Sequence, residues 1–279
     1  MLGCSLDLTE VTKGTVTIEN KPGRIDRLLE HLKKIEMANR ISLHEAQILH
    51  GLMRYACGFF AGRHLFQVCA EVMTLGATSS KGNRRDLASF CQYATQALKN
   101  CKPRKLVATC ERRPILVFTD GSWEDGHAGL GAVVLDTADG SAWVWSGQVP
   151  EALLDKWRGL VGDQLICQIE LYAMVALRWS LSHLFLNRRT LWWVDNDAAR
   201  YALIKGVSPS LVMKQLVRLF YQFEVEAPTY SWIERIPSSS NPADGPSRGS
   251  PQETMKLLGI SKCETFSHPS ELVEKLLAL

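Results

Sequence analysis

The chain has 279 residues, 46% of them hydrophobic, and its 32 Lys and Arg against 29 Asp and Glu give a formal net charge of +3. That length and apolar content support a large core in one large or two modest domains, and so small a net charge does not by itself mark a nucleic-acid binder. No uncharged apolar run of about 18 residues occurs, which argues against a membrane span, and the N-terminus lacks the basic and apolar regions of a secretory signal, so an intracellular protein of cytoplasm or nucleus is expected.

Residues 5–19, SLDLTEVTKGTVTIE, alternate loosely around Thr-Lys-Gly and predict a short hairpin. A helix is expected from about Ile25. Ser42 and Glu45 form a capping-box pattern ahead of the apolar run in ISLHEAQILHGLMRYACGFFAGRHL, which predicts a second long helix. A third, RRDLASFCQYATQALKN, ends before Pro103, so residues 25–100 read as a helical unit. Eight cysteines are scattered without a Cys-x-x-Cys pair, the pattern of reduced thiols that fill cores. His44, His50, Cys57 and Cys69 are near one another in sequence, but on a helical stretch their spacings do not place four ligands round one ion, and core residues are expected. Nine bases between Lys81 and Arg113, facing only Asp86 and Glu111, read equally well as a solvated linker or as a surface for nucleic acid.

Beyond Cys101 the period changes. ILVFTDGSW, AGLGAVVLDT and SAWVWSG are apolar, rich in β-branched and aromatic residues, and joined by Gly-containing loops, which predicts a three-stranded antiparallel meander. A long helix from about Gln164 to Leu184 follows, then a strand TLWWVDN, a short helix DAARYALIKG stopped by Gly206, a helix SLVMKQLVRLFYQFEV and a last strand TYSWIERIP. The expected fold class is α/β, a mixed five-stranded sheet with three antiparallel strands and then parallel additions, flanked by helices. Neighbouring Trp192 and Trp193 must face opposite sides of their strand, and Trp123 is the tryptophan expected near a substrate. PQETMKLLGI and PSELVEKLLAL predict two amphipathic helices with a packing role.

Buried carboxylates are costly unless paired or bound to metal, so acids in apolar surroundings are informative. Asp120 follows the strand ILVF, Glu170 interrupts a core-facing helical stripe of Ile166, Ala173, Met174 and Leu177, Asp195 ends the strand LWWV, and Asp244 sits in the loop SSSNPADGPSRG. Taken singly, turn formation explains Asp120 and Asp244 and helix capping explains Asp195, whereas for Glu170 pairing with a base is the weaker account; Asp197 reads as a first-turn residue that complements a helix dipole. Clustered acids repel unless divalent cations neutralise them, and an all-oxygen donor set suits Mg²⁺, or Mn²⁺ in its place.

VFTDGSW, QIELYAMVALRW, WWVDNDAAR and NPADGPSRG, in that order on strand, helix, strand and loop, resemble the four acidic motifs of type 1 ribonuclease H across residues 112–250. The ending Asn-Pro-Ala-Asp followed by Ser-Arg is similar to the ribonuclease H domains of retroelement reverse transcriptases, especially the DIRS-like class, and SLHEAQILHGLMRYACGFFAGRHL is similar to their thumb and connection segment. The resemblance implies four parts: a palm-like hairpin remnant at 1–24, a helical thumb- or connection-like segment at 25–108, a ribonuclease H-like domain at 109–250 and a helical tail at 251–279. It implies that Asp120, Glu170, Asp195 and Asp244 hold two Mg²⁺ ions and cut the RNA strand of an RNA/DNA hybrid, with Gly121, Ser122, Asn196 and Arg248 as substrate contacts. Many cellular members carry a His in a loop before the last acid, and none lies between Asp195 and Asp244. A Tyr-x-Asp-Asp polymerase motif is also missing, so DNA synthesis would need a polymerase portion in trans. Two other readings share these residues: a catalytically idle nucleic-acid-binding remnant, and a related enzyme that moves DNA strands or trims ends.

Overall fold

A computed structural model describes residues 3–60, 63–78, 84–108, 113–227 and 229–278, with the side chains of 78 and 84–86 left undescribed. Its contacts divide the chain into two units, Met1–Glu111 and Arg112–Leu279.

In the first unit, strands β1 (Cys4–Asp7) and β2 (Thr15–Asn20) form the expected hairpin. Helices α1 (Arg24–Ala38), α2 (Leu43–Cys57), α3 (His64–Thr78) and α4 (Arg84–Asn100) follow. Helix α1 packs on α2 and α4, and α3 packs on the same two. The capping box of α2 is complete: the Ser42 hydroxyl accepts from Glu45 N at 3.2 Å while Glu45 Oε2 accepts from Ser42 N at 2.8 Å. The single second helix expected through residue 65 is instead two, because α2 ends at Cys57 against Gly58 and α3 starts afresh at His64. Gly58 sits at the C-cap of α2, its N–H donating back to the Tyr55 carbonyl at 3.3 Å. Strand β3 (Arg104–Val107) occupies part of the basic run and pairs with β2, so Arg104 and Lys105 belong to a strand rather than a linker. Lys81, Arg112 and Cys110 lie outside the described residues, and the side chains of Arg84 and Arg85 are likewise undescribed. The other seven cysteines are free thiols.

The second unit is built on a sheet of order β8-β7-β4-β5-β6-β9. Its meander is β4 (Ile115–Glu124), β5 (His127–Asp136) and β6 (Ala142–Gln148), all antiparallel. Helices α5 (Glu151–Val161), α6 (Ile166–Ser180) and the short α7 (Ser182–Phe185) lead to β7 (Arg189–Val194), parallel to β4. Helices α8 (Asp197–Lys205) and α9 (Leu211–Glu226) precede β8 (Tyr230–Arg235), parallel to β7. The one-turn α10 (Asp244–Ser247), α11 (Gln252–Leu258), strand β9 (Glu264–Thr265) and α12 (Ser270–Leu277) complete the chain.

The mixed α/β fold is thus as expected, with three departures. Helix α5 was not anticipated, although Pro150 ahead of it, Glu151 in its first turn and buried Leu153, Leu154 and Trp157 on one face are its signals. The long helix after it is shorter and breaks at Leu181. The sheet has six strands, because the tail returns β9 alongside β6 in parallel. The tail is also part of the core: Leu272 and Leu276 of α12 are fully buried, and His268 Nδ1 meets the Tyr172 hydroxyl at 2.8 Å.

Helix α6 is buried from Gln168 through Arg178 and spans the centre of the core. Trp192 faces that core, whereas Trp193 points to the opposite face and stacks on Phe118 with ring centroids 6.2 Å apart. A buried ion pair closes the far end of the sheet, where Arg188 grips Asp136 through two bonds of 2.7 and 2.8 Å. That guanidinium, helped by the Ala138 N–H, holds the Asp136 carboxyl below the usual carboxylate range. Among the described residues, no helix is long and apolar enough to cross a membrane.

Candidate metal centre

The parallel pairing of β4 with β7 places Phe118 opposite Trp193. Counting two residues onward along each strand brings Asp120 and Asp195 to the same end and the same face, about 4.8 Å apart in strand spacing. Helix α6 supplies the third acid because Gly121 lets it approach β4. A Cβ at that position would stand 2.8 Å from Glu170 N and 2.9 Å from Ile169 Cγ2. The Gly121 backbone N–H in turn donates to the Glu170 carboxylate. One donor oxygen from each of Asp120, Glu170 and Asp195 lies within 4.8 Å of the others, and among the described residues this is the one His, Cys or acidic group so arranged.

The surroundings make these acids costly as anions. Asp120 and Glu170 are each 4% exposed. Burial, then the neighbouring charges of Asp195 and Asp244, push Asp120 up to about 6 against the opposing bond from Ser247. Glu170 is pushed well above the ordinary carboxylate range by burial, then by Asp120 and Asp195. Glu170 Oε2 and Asp195 Oδ1 are buried with no hydrogen-bond partner in the protein. Unpaired, closely spaced carboxylate oxygens fit a divalent cation and fit poorly anything else a protein holds.

Asp244 is not in this group. It is half-exposed on α10, where Arg248 Nε donates to its Oδ1 at 3.1 Å while the same guanidinium also binds Glu124. Its charge still reaches Asp120. The turn carrying it presses on the sheet through two further glycines: a Cβ at Gly129 would meet the Ser247 carbonyl oxygen, and one at Gly131 would stand 2.3 Å from the Ala243 oxygen.

The remaining expected contacts are largely occupied within the fold. The Ser122 hydroxyl is buried and donates to the Ser247 carbonyl at 2.8 Å. Asn196 caps α8, its Oδ1 accepting from Ala199 N at 3.0 Å, so the cap once assigned to Asp195 belongs to its neighbour. Asp197 pairs with Arg200 at 3.7 Å in the first turn of that helix. Trp123 packs on the helix-side core under the Arg158 guanidinium, 5.3 Å from the ring centre.

Two residues that the motif reading passed over hold Asp120 in place. The Ser247 hydroxyl donates to its Oδ2, and Asn241 Nδ2 donates to the Thr119 carbonyl at 3.0 Å and reaches Asp120 Oδ1 at 3.5 Å. Both belong to the stretch around Asp244, and the Asx turn of Asn241 onto Ala243 N is its local signal. A cleft of about 630 Å³ adjoins this corner, lined by Ser122, Glu124, His127, Gly129, Ser247 and Arg248 among others.

No protein-family model matches the chain, and no curated protein matches it. Solved structures do. The RNase H1 of the halophilic archaeon Halobacterium salinarum NRC-1 is 16% identical, with a TM-score of 0.38 over 50% of this chain and 99% of that one. LC11-RNase H1, isolated from compost by a metagenomic approach, is 16% identical with a TM-score of 0.41 over 51% of this chain and 98% of that one. The same enzyme solved in complex with an RNA/DNA hybrid matches at 16% identity and a TM-score of 0.37, again over 50% of this chain and 99% of that one.

Proposed function

We propose that the second unit is a divalent-metal-dependent nuclease that hydrolyses the RNA strand of RNA/DNA hybrids, and that the chain is a portion of a retroelement reverse transcriptase. The convergence of Asp120, Glu170 and Asp195 on one point, with buried oxygens left unpaired, carries the reading. The four motifs in ribonuclease H order supply the substrate class, and the hairpin and helices ahead of them support the retroelement origin.

Two Mg²⁺ ions are the expected cofactors, with Mn²⁺ as a substitute, held by Asp120, Glu170 and Asp195 and completed by Asp244. Ions at such a centre stabilise charge on the scissile phosphate and on its leaving oxygen. Ser247 and Asn241 fix the Asp120 carboxylate, and the Gly121 N–H orients Glu170. Asp244 joins the set by turning away from Arg248, which frees that guanidinium for a phosphate of the hybrid. A polymerase portion acting in trans would supply the synthesis that this chain's motifs lack.

The test is cleavage of a hybrid labelled on its RNA strand, with Mg²⁺ or EDTA, by the wild-type chain and by Asp120→Asn and Asp195→Asn. Metal-dependent loss of the RNA strand, abolished in both variants, is the expected result. Binding of the hybrid with the RNA equally intact in all three makes the protein an idle binder, and cutting of duplex DNA instead points to the strand-transfer class.

A further inference from the structure

Asn241, Asp244 and Ser247, the residues of the last acidic stretch that act on Asp120, share one short run of backbone. Hydroxyls from three separate elements hold that run. Ser122 of β4 donates to the Ser247 carbonyl at 2.8 Å, Ser146 of β6 to the Pro246 carbonyl at 2.7 Å, and Thr254 of α11 to the Pro242 carbonyl at 2.9 Å. Packing is close as well, since a Cβ at Gly245 would stand 2.8 Å from the Ser250 oxygen. Two of the three hydroxyls depend on residues after Gly249. Thr254 belongs to the tail itself, and Ser146 is paired with β9, opposite Thr265, while its carbonyl accepts from Phe266 N at 3.3 Å. Gly147 leaves room for Phe266, whose Cβ would be 3.0 Å from a Cβ at that glycine. Phe266 lies in the core with Leu272 and Leu276, so the tail is anchored there and reaches the acidic stretch from a fixed base.

Resting on the reading of Asp120, Glu170, Asp195 and Asp244 as a metal centre, we propose that the tail from Pro251 onward is a working part of that centre. Through Thr254 and Ser146 it sets the position of the turn that carries Asp244 and of the two residues that fix Asp120. Thr254 and Ser146 are therefore positioning residues. The turn cannot hold itself: α10 is a single turn, with most of its backbone groups lacking a partner inside it. Pro242 and Pro246 also have no N–H to donate, and the hydroxyls that reach their carbonyls compensate. Groups that hold metal ligands in place typically govern metal affinity by about 10–100-fold, and a displaced turn would loosen Asp120 and Asp244 together. Thr254 is 9% exposed and does not line the cleft, which makes it a support for the turn and not a surface for substrate.

The test is Mn²⁺ binding to the full chain, read from loss of the free-ion electron paramagnetic resonance signal and so independent of cleavage. Thr254→Val, which keeps the shape and removes the hydroxyl, is expected to weaken binding by about 10-fold or more, and Ser146→Ala to weaken it in the same direction. Thr254→Ser, which keeps the hydroxyl, is expected to bind within about twofold of wild type. Arg188→Ala, at the far end of the sheet, separates position from stability: it should lower the urea midpoint and leave Mn²⁺ affinity unchanged. If the wild type binds Mn²⁺ and Asp120→Asn does not, while Thr254→Val and Ser146→Ala match the wild type, the metal centre stands and the role given to the tail is overturned. Loss of affinity in Arg188→Ala equal to that in Thr254→Val also overturns it, because the effect is then general destabilisation. A wild type that binds no Mn²⁺ removes the metal centre and the tail's role with it.

Discussion

Replacing Asp120 by Asn in metal-free protein should raise the stability of the second unit, and by an amount that depends on pH. Asp120 rises from 3.8 to about 6 in the folded chain, chiefly through burial and then through Asp195 and Asp244. Between those values the native state binds more protons than the unfolded one, so this carboxyl favours folding less and less as pH rises through the window from about 4 to 6. At about 1.36 kcal/mol per unit, the wild type gives up about 3 kcal/mol that Asp120→Asn keeps. All eight tryptophans lie at or beyond position 123, so tryptophan fluorescence during urea unfolding in EDTA follows the second unit alone. The variant and wild type should be closely matched near pH 4 and separate by up to about 3 kcal/mol at pH 8. Saturating Mg²⁺ should then stabilise the wild type and not the variant, reversing the order. Parallel pH curves for the two proteins in EDTA would refute the claim that Asp120 is ionised at a cost in this cluster.

Gly131→Ala should cost about 1–3 kcal/mol in urea and displace the α10 turn, since the new Cβ would stand 2.3 Å from the Ala243 oxygen and 2.4 Å from Ser247 N. Arg188→Ala strands the buried Asp136 carboxylate, a loss of about 3–5 kcal/mol at neutral pH. Because Asp136 is held below its ordinary value, that pair stabilises above about pH 4 and the loss should shrink as pH falls through the lowered value, which acid titration of the two proteins will show. Leu272→Ala empties a fully buried site in α12 and should cost about 2–5 kcal/mol by thermal or urea unfolding, whereas a tail that merely rests on the surface would lose little.

Local pattern determined much of this protein. Apolar periodicity and turn residues marked the meander, β7, α8, α9 and β8, and the Ser42 capping box was readable from two side chains. Where the sequence misled, local pattern ran out: Gly58 at the end of α2 carries no signal that Gly51, held within the same helix, does not also carry, and β9 is too short for a periodic signal. The tertiary structure alone decided which acids meet. Asp120 and Asp195 adjoin because β4 and β7 pair in parallel at one register, and Glu170 reaches them because Gly121 admits α6. It also decided that Asp244 rests against Arg248, that Cys57 meets Cys69 and that His64 meets Cys101. Periodicity fixes the face on which a residue sits within its own element, but which faces come together is set by register and packing between segments far apart in sequence, and spacing along the chain carries no record of that.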